Sequence, residues 1–267
     1  MIEQFHRPTT VQEALSLKKR FQARAAFLAG GTLANAKDSC LHPDHWISLE
    51  GLKLDRIDQR KRGDLVIGAL CSLQRLIDDA RTPEPLRAAA TQIVSRNIRN
   101  MATIGGHVAA NLPYSDLIPM LVALGARVEL PGPRVAKTVS VMDYITAGAR
   151  SGVASRVASG VTSGCISWCA SGCTSGCVSG RIPGCSPTVT SGQNRLITRI
   201  IIPRDNRSRV AACGNVRGSS NARSLLSAAV SLPLTDLGMQ DPIIALGGGG
   251  ARHVVRLASA ERALEGK

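Results

Sequence analysis

The sequence is poor in aromatic residues: its 267 residues include three Phe, two Tyr and two Trp. Proteins that bind single-stranded nucleic acids stack the bases on aromatic side chains, and this chain lacks such a platform. Acidic residues are absent between Asp143 and Asp205, and this gap carries much of the net charge of +14. Much of the positive charge therefore belongs to one unusual segment, and we expect no nucleic-acid partner.

The sequence also lacks the long apolar runs of a membrane protein. No window offers the roughly 18 uninterrupted apolar residues that a membrane-spanning helix requires. The first residues, MIEQFHRPTT, contain no cationic segment followed by an apolar run, so they do not resemble a signal peptide. Because 44% of the residues are hydrophobic, the chain can bury a core. We expect a soluble, cytoplasmic protein without a membrane contact, folded as two modest domains or as one large domain of two lobes.

Residues 151–194 form an uninterrupted series of tetrapeptide units such as SGVA, SRVA, SGVT, SGCI and SWCA. A period of four with glycine and serine in most units fits neither a strand nor an amphipathic helix, and it indicates a flexible insert. Within it, the cysteines Cys165, Cys169, Cys173 and Cys177 are equally spaced. Zinc and iron–sulfur sites combine short and long gaps, because a loop has to turn around the ion. We therefore predict that the insert holds no metal.

On both sides of the repeat the sequence alternates helix and strand patterns. Thr10 and Glu13 form a capping box, which predicts a helix that continues to about Arg20. Before the repeat, the predicted strands are RAAFLAGGT, HWISLEG, DLVIGAL and RVEL, and the predicted helices are SLQRLIDDA, PLRAAATQIVSRNI and LIPMLVALGA. After the repeat, RLITRIIIP and ARSLLSAAVSL are predicted strands, and PIIALGGGGARHVVRLASAERALEGK predicts a strand, a glycine turn, a strand and a helix.

Two paired-glycine segments, Gly30-Gly31-Thr32 and Gly105-Gly106, follow predicted elements and are interpreted as turns. Paired glycines let the backbone come close to a ligand and direct several N–H groups at an anion, as a diphosphate requires. Neither segment lies in a G-x-G-x-x-G or G-x-x-x-x-G-K-[ST] pattern, so a Rossmann site and a Walker phosphate loop are not supported. From the residues alone, a phosphate cradle and an ordinary turn both remain open.

The segments FLAGGTLANAK and RNMATIGGHVAANLPYSDLIPMLVALGARVEL together closely resemble the flavin-binding medium subunit of molybdenum hydroxylases, the family of xanthine dehydrogenases and carbon monoxide dehydrogenase. RLITRIIIP and ALGGGGARHVVRLASAERALEGK fit the same family in the same order, and the resemblance covers residues 1–148 and 195–267. The first twenty residues look most like the small stand-alone flavoprotein subunits of xanthine-dehydrogenase-type complexes.

The resemblance implies an α+β fold: a vanillyl-alcohol-oxidase-type FAD-binding domain of two α/β lobes, followed by a small α+β carboxy-terminal domain. It divides the chain into an FAD-binding domain (1–148), the repeat insert (149–194), and the end of the FAD domain with the carboxy-terminal domain (195–267). Relatives continue beyond LEGK by roughly a helical hairpin. We therefore expect the carboxy-terminal domain to be truncated.

The resemblance also implies FAD-binding residues, and it implies no catalytic residue and no metal ligand. Backbone amides from Leu28 to Asn35 would hold the FAD diphosphate, and the residues from Thr103 to His107 would lie along the flavin and its ribityl chain. Asp116 would accept hydrogen bonds from FAD hydroxyls, although a helix N-cap is the alternative or additional role. An apolar side chain, Ile197, would cover the ring. The implied site is Leu28, Ala29, Gly30, Gly31, Thr32, Leu33, Ala34, Asn35, Thr103, Ile104, Gly105, Gly106, His107, Asp116 and Ile197.

The implied function is that of an oxidoreductase subunit that is not active alone. Electrons would pass from a molybdenum-cofactor large subunit and a 2Fe-2S small subunit to FAD, and then to NAD or another acceptor. Two alternatives stay open: a truncated family member without redox activity, and a basic nucleic-acid-binding protein, for which no motif is found.

Two features depart from the family pattern. His107 stands where relatives often have asparagine, and RVAACGNVRGSSNARS lacks the lysine and aromatic residues expected near the approach of a nicotinamide. The second departure leaves the electron acceptor open. The position of the repeat, between MDYITAG and RLITRIIIP, also differs from that of the cysteine-bearing inserts of some relatives. A tandem expansion of coding repeats, or a shifted reading frame within them, explains its period better than a metal cluster does.

Overall fold

The computed structural model describes residues 3–36, 39, 42–93, 95–132, 135–151, 195–207, 209–219, 222–235, 238–251 and 253–266. The flexible, metal-free insert predicted for residues 151–194 lies, apart from Ser151, outside the described residues. The described residues form three larger β-sheets and a two-stranded ribbon, with helices packed against the sheets. Among these residues, no helix combines the length and the apolarity needed to cross a membrane.

The first lobe is a parallel sheet covered by one helix. Its elements are β1 (Gln4–His6), α1 (Val11–Phe21), β2 (Ala25–Leu28) and β3 (His45–Ser48). The strand order is β1-β3-β2, and Phe27 of β2 lies opposite Ile47 of β3. Ala14 on the inner face of α1 belongs to the same core cluster as Ile47, and both are fully buried. The helix is therefore held against the sheet by apolar packing.

The start of α1 is determined by the predicted capping box. Thr10 Oγ1 accepts a hydrogen bond from the Glu13 N–H at 3.2 Å. The Glu13 carboxylate reaches back to the N–H of Thr9 at 2.9 Å, one residue earlier than the usual partner. The predicted helix is confirmed, and it extends to Phe21.

The second lobe is an antiparallel sheet with a layer of helices. Its strands are β4 (Ile57–Gln59), β5 (Leu65–Gly68), β6 (Arg127–Leu130), β7 (Lys137–Ser140) and β8 (Arg199–Ile202). Its helices are α2 (Leu73–Asp78), α3 (Glu84–Thr91), α4 (Arg96–Met101), α5 (Ile104–Ala110), α6 (Leu117–Ala123) and α7 (Val141–Ser151). The strand order is β4-β5-β8-β6-β7, and every neighbouring pair is antiparallel. Of the two expected α/β lobes, only the first has a parallel sheet.

The central strand of the second lobe, β8, comes from the chain that follows the repeat. It pairs with β5 on one side, where Leu65 lies opposite Ile202, and with β6 on the other, where Val128 lies opposite Ile200. Just before β8, Leu196 packs in the core of the first lobe. The segment after the repeat therefore completes one lobe and contacts the other.

A third sheet follows β8. After the short helix α8 (Arg204–Arg207), its elements are β9 (Val210–Arg217), β10 (Ser224–Leu232), β13 (Ile243–Gly248), β14 (Val255–Arg256) and helix α9 (Ala258–Leu264). The two-stranded ribbon is formed by β11 (Leu234–Thr235) and β12 (Gly238–Met239). The sheet order is β14-β13-β10-β9, and the sheet packs on α6, all of whose residues are buried. The strand, glycine turn, strand and helix predicted at the end of the chain are confirmed.

Two expectations about local structure are wrong. The segment PLRAAATQIVSRNI forms two helices, because Ser95 begins α4 by accepting the Ile98 N–H at 3.4 Å. The glycines Gly105 and Gly106 are not a turn, because they lie in the first turn of α5. Six strands, β1, β4, β7, β9, β11 and β12, have no sequence-based prediction.

We predict that a fragment of residues 1–151 does not fold cooperatively, because it lacks β8 and leaves the buried strands β5 and β6 unpaired at the centre of the sheet. Thermal unfolding followed by circular dichroism would test this against the full chain. A fragment with the same sharp transition as the full chain would contradict the prediction.

Candidate functional site

A cleft of about 830 Å³ lies where the two lobes and the third sheet meet. Ligand sites in proteins commonly enclose about 300–1,000 Å³, so this cleft has room for a large organic ligand. Its walls come from residues 27–36 after β2, residues 101–110 around the start of α5, residues 195–197 before β8, and the β9–β10 region.

The first glycine segment provides a run of unpaired backbone donors. After β2 ends at Leu28, the chain makes a single turn, closed by the Asn35 N–H donating to the Gly31 carbonyl at 2.9 Å. Gly31 has a φ of +68°, which favours glycine. Within the described part of the chain, the N–H groups of Gly30 to Ala34 donate to no acceptor. Such a run of N–H groups at a turn forms an anion-binding concavity.

The two glycine segments pack directly against each other. A Cβ atom at Gly30 would lie 1.8 Å from the Met101 carbonyl oxygen, at the end of α4. Gly106 of α5 faces Ala29, whose Cβ would be 3.7 Å from a Cβ at position 106. The absence of side chains at Gly30 and Gly106 therefore allows the backbones of the two lobes to meet at the floor of the cleft.

The second glycine segment has no free N–H groups. Thr103 caps α5, and its Oγ1 accepts the Gly106 N–H at 3.1 Å while its carbonyl accepts the His107 N–H at 2.9 Å. The N–H groups of Ile104 and Gly105 donate to carbonyls of the segment after β5, at 3.0 and 2.9 Å. This segment can offer a ligand close backbone contact, but it cannot bind an anion through its N–H groups.

Every predicted site residue except Ile104 lines the cleft. Ile104 is fully buried in the core of the second lobe. Ile197 lines the cleft but is only 4% exposed, so most of its side chain packs in that core.

Asp116 lies at the boundary between the cleft and the third sheet. Its Oδ2 accepts a hydrogen bond from Arg217 Nη2 at 2.7 Å, and its Oδ1 accepts from Asn215 Nδ2 at 3.1 Å and from the Ser224 hydroxyl. A carboxylate has about four acceptor positions, so the described residues leave one open on Oδ2. The N-cap role is wrong for this side chain, because Ser115 Oγ accepts the first N–H groups of α6 instead.

His107 is held in the neutral state. Its Nε2 lies 2.6 Å from Ser115 Oγ. Burial lowers the pKa of His107 to about 4, and the charge of Asp116 opposes this shift only in part. The imidazole therefore carries no charge at neutral pH.

Arginine side chains line the cleft beside Asp116. Arg217 is ion-paired with Asp116, and the Arg223 guanidinium lies 5.0 Å from the centre of the Tyr114 ring. Neither arginine was predicted as a site residue, because no strand was predicted over β9 and Arg223 begins a segment predicted only as a strand. Cys213, Asn215 and Arg217 share the inner face of β9, so the position of Arg217 depends on the packing of the sheet and not on a sequence signal.

Among the described residues, no group of three or more His, Cys, Asp or Glu side chains is arranged to hold a metal ion. Cys71 is buried, and burial raises the pKa of its thiol to about 12. Burial also raises the pKa of Cys213. Both thiols are therefore protonated at neutral pH, a state unsuited to metal binding or nucleophilic attack.

The fold is similar to that of chains in carbon monoxide dehydrogenase and quinoline 2-oxidoreductase. The described structure is similar to a chain of carbon monoxide dehydrogenase from Hydrogenophaga pseudoflava, with a TM-score of 0.76, 23% identity, and coverage of 100% of this chain and 81% of that chain. A chain of quinoline 2-oxidoreductase from Pseudomonas putida gives a TM-score of 0.73 at 17% identity, with 100% and 81% coverage.

The chain belongs to the family of FAD-binding domains in molybdopterin dehydrogenases, whose model matches residues 1–156. FAD is the cofactor of this family. The predicted family resemblance and the predicted cofactor are confirmed.

Curated relatives match the first part of the chain. The Escherichia coli protein called "Uncharacterized protein YgfM" is 42% identical over 145 residues, which is 54% of each chain. The carbon monoxide dehydrogenase medium chain of Afipia carboxidovorans is 33% identical over 147 residues, covering 52% of this chain and 50% of that one. The chain thus spans about half the length of the curated relatives it matches.

We predict that Gly30→Ala destabilises the protein by about 3 kcal/mol or more, because the new methyl group would overlap the Met101 carbonyl. Gly31→Ala meets no close atom and should cost only about 1 kcal/mol, from its left-handed backbone. Urea unfolding of both variants would measure the difference. Equal losses would contradict the close approach at Gly30.

We predict that His107 lowers stability as the pH falls from 6.5 to about 4. In this range the unfolded chain binds a proton at His107 and the folded chain does not, so the free energy of unfolding decreases with falling pH, by about 3 kcal/mol in total. Unfolding free energies of the wild type and His107→Asn, measured across this range, should diverge by that amount. Parallel pH profiles would contradict a depressed pKa at His107.

Proposed function

We propose that this chain is an FAD-binding electron-transfer subunit of a molybdenum hydroxylase, and that the FAD diphosphate binds at the first glycine segment. The observation that supports this most strongly is the run of unpaired N–H groups from Gly30 to Ala34 on the wall of a large cleft. A diphosphate needs several convergent donors, and these are the backbone groups free to supply them.

The remaining cleft residues fit the rest of the cofactor. The segment from Thr103 to His107, which lines the cleft apart from Ile104, would lie along the flavin and ribityl chain. Asp116 would accept one hydroxyl hydrogen bond at its open position on Oδ2. Ile197 would present its small exposed part to the flavin ring.

FAD supplies the two-electron chemistry when it is bound, taking electrons from an iron–sulfur partner and passing hydride to NAD or another acceptor. This chain binds and orients the cofactor and shields it from water, and no residue of it acts on the hydroxylase substrate. We propose that its partners are a molybdenum-cofactor large subunit and a 2Fe-2S small subunit, and that it has no substrate oxidation alone. Relatives named "Carbon monoxide dehydrogenase medium chain" and "Xanthine dehydrogenase FAD-binding subunit" support an assembly of this kind.

We also propose the domain division into residues 1–148, the insert 149–194, and residues 195–267. The position of β8 supports it, because this strand joins β5 and β6 in one sheet and therefore belongs to the FAD-binding domain. The third sheet begins only after β8.

We predict that Gly106→Val weakens FAD binding by about 2–4 kcal/mol. A Cβ at this position would lie 2.8 Å from Thr103 Oγ1, so the cap of α5 and the adjacent floor of the cleft would have to move. Gly214→Ala is the matched control, because a Cβ there has no atom within 4 Å. Both affinities would be measured by titrating the apoprotein with FAD and following its visible absorbance and fluorescence.

Unchanged affinity in Gly106→Val would show that FAD binds elsewhere. A wild-type protein that stays colourless and binds no FAD, alone or with its partners, would contradict the proposed function and favour a family member without redox activity.

A further inference from the structure

The hydrogen bond between His107 and Ser115 supports an inference that rests on the proposed function. Ser115 Oγ accepts the N–H groups of Leu117 at 3.3 Å and Ile118 at 3.0 Å, the first two residues of α6. A hydroxyl oxygen has two acceptor positions, so both are filled by these backbone donors. The hydroxyl hydrogen of Ser115 is then the only part of this group available to His107.

The direction of the bond follows from this count. His107 Nε2 lies 2.6 Å from Ser115 Oγ and must accept the hydroxyl hydrogen, so Nε2 carries no proton. Because the imidazole is neutral, its single proton resides on Nδ1. The helix start at α6 therefore determines the tautomer of a histidine on α5.

The Nδ1–H group is free to serve a ligand. Within the described residues, Nδ1 donates to no acceptor. Nδ1 is not among the described side-chain atoms that are both fully buried and without a hydrogen-bond partner, so solvent or a ligand can reach it. His107 lines the cleft between Gly106 and Ser115, and a buried N–H donor without a partner is costly unless water or a ligand accepts its hydrogen bond.

We propose that Ser115 holds His107 as the neutral Nδ1–H tautomer, and that this N–H donates a hydrogen bond to an acceptor atom of FAD in the cleft. His107 is then a ligand-binding donor, and Ser115 is a positioning residue that acts through it. Asp116 is the charged group whose field acts on His107, and it forms an ion pair with Arg217. The Nδ1–H group of neutral His107 therefore contributes to ligand binding separately from this ion pair.

Nitrogen NMR of the ¹⁵N-labelled apoprotein tests the tautomer without FAD. The expected spectrum shows His107 with a protonated Nδ1 and an unprotonated Nε2 at neutral pH. Ser115→Ala should give a mixture of tautomers, and Ser115→Thr, which keeps the hydroxyl, should restore the wild-type pattern. A protonated Nε2 in the wild type, or an unchanged pattern in Ser115→Ala, would overturn the proposal.

A matched pair of variants tests the donor. The side-chain nitrogen of asparagine occupies nearly the place of Nδ1, whereas that of glutamine occupies nearly the place of Nε2. His107→Gln and His107→Phe should therefore bind FAD about tenfold more weakly than His107→Asn, which keeps a donor near the place of Nδ1, and tenfold is the usual range for one hydrogen bond. FAD titration of each variant gives the affinities, and urea unfolding of the apoproteins identifies any variant that has lost its fold.

The outcomes separate the two proposals. If the wild type binds FAD but folded His107→Phe binds equally well, the donor role is overturned and the proposed function stands. If the wild type binds no FAD, the proposed function fails and the donor role fails with it, while the NMR result still decides the tautomer.

Discussion

The contact between the Gly30 backbone and the Met101 carbonyl is the constraint on which the cleft depends. A Cβ at Gly30 would lie 1.8 Å from that oxygen, so no other residue type permits the two lobes to come this close. The contact places the free N–H groups of the first glycine segment directly beside the start of α5. Because α5 carries His107 and leads into α6, the distances across the cleft all follow from this one approach.

Much of the site was predictable because the relevant signals are local and cover short stretches. Glycine pairs, the Thr10–Glu13 capping box and alternating apolar residues report backbone requirements that do not depend on distant partners. The grouping of the residues around Gly30, Gly106 and Asp116 came from the family resemblance, and these residues line one cleft. The glycine pairs alone left a phosphate cradle and an ordinary turn both open. Local signals could not distinguish a glycine turn from a helix that begins with glycines. In both cases the glycines allow the backbone to pack closely against another segment.

The parts that could not be predicted depend on contacts between distant segments. On β9 the usual pattern is inverted: Asn215 and Arg217 point inward toward Asp116, and Val210 and Val216 are at least half exposed. From the sequence alone, the apolar residues of such a strand would be predicted to point inward, and on β9 this is the wrong face. Likewise, Ser115 rather than Asp116 accepts the first N–H groups of α6, while the Asp116 carboxylate is ion-paired with Arg217 of a distant strand.

The shared use of Asp116 makes the third sheet a thermodynamic effector of the cleft. Its carboxylate is neutralised by Arg217 from β9, and Asp116 also lines the cleft, with one acceptor position not filled by the described residues. A ligand at that position and the docked sheet therefore act on the same group, and linkage between two such events is reciprocal. If docking of the sheet changes ligand affinity by some factor, the ligand changes the docking equilibrium by the same factor, so the occupied cleft and the ordered carboxy-terminal sheet report on each other.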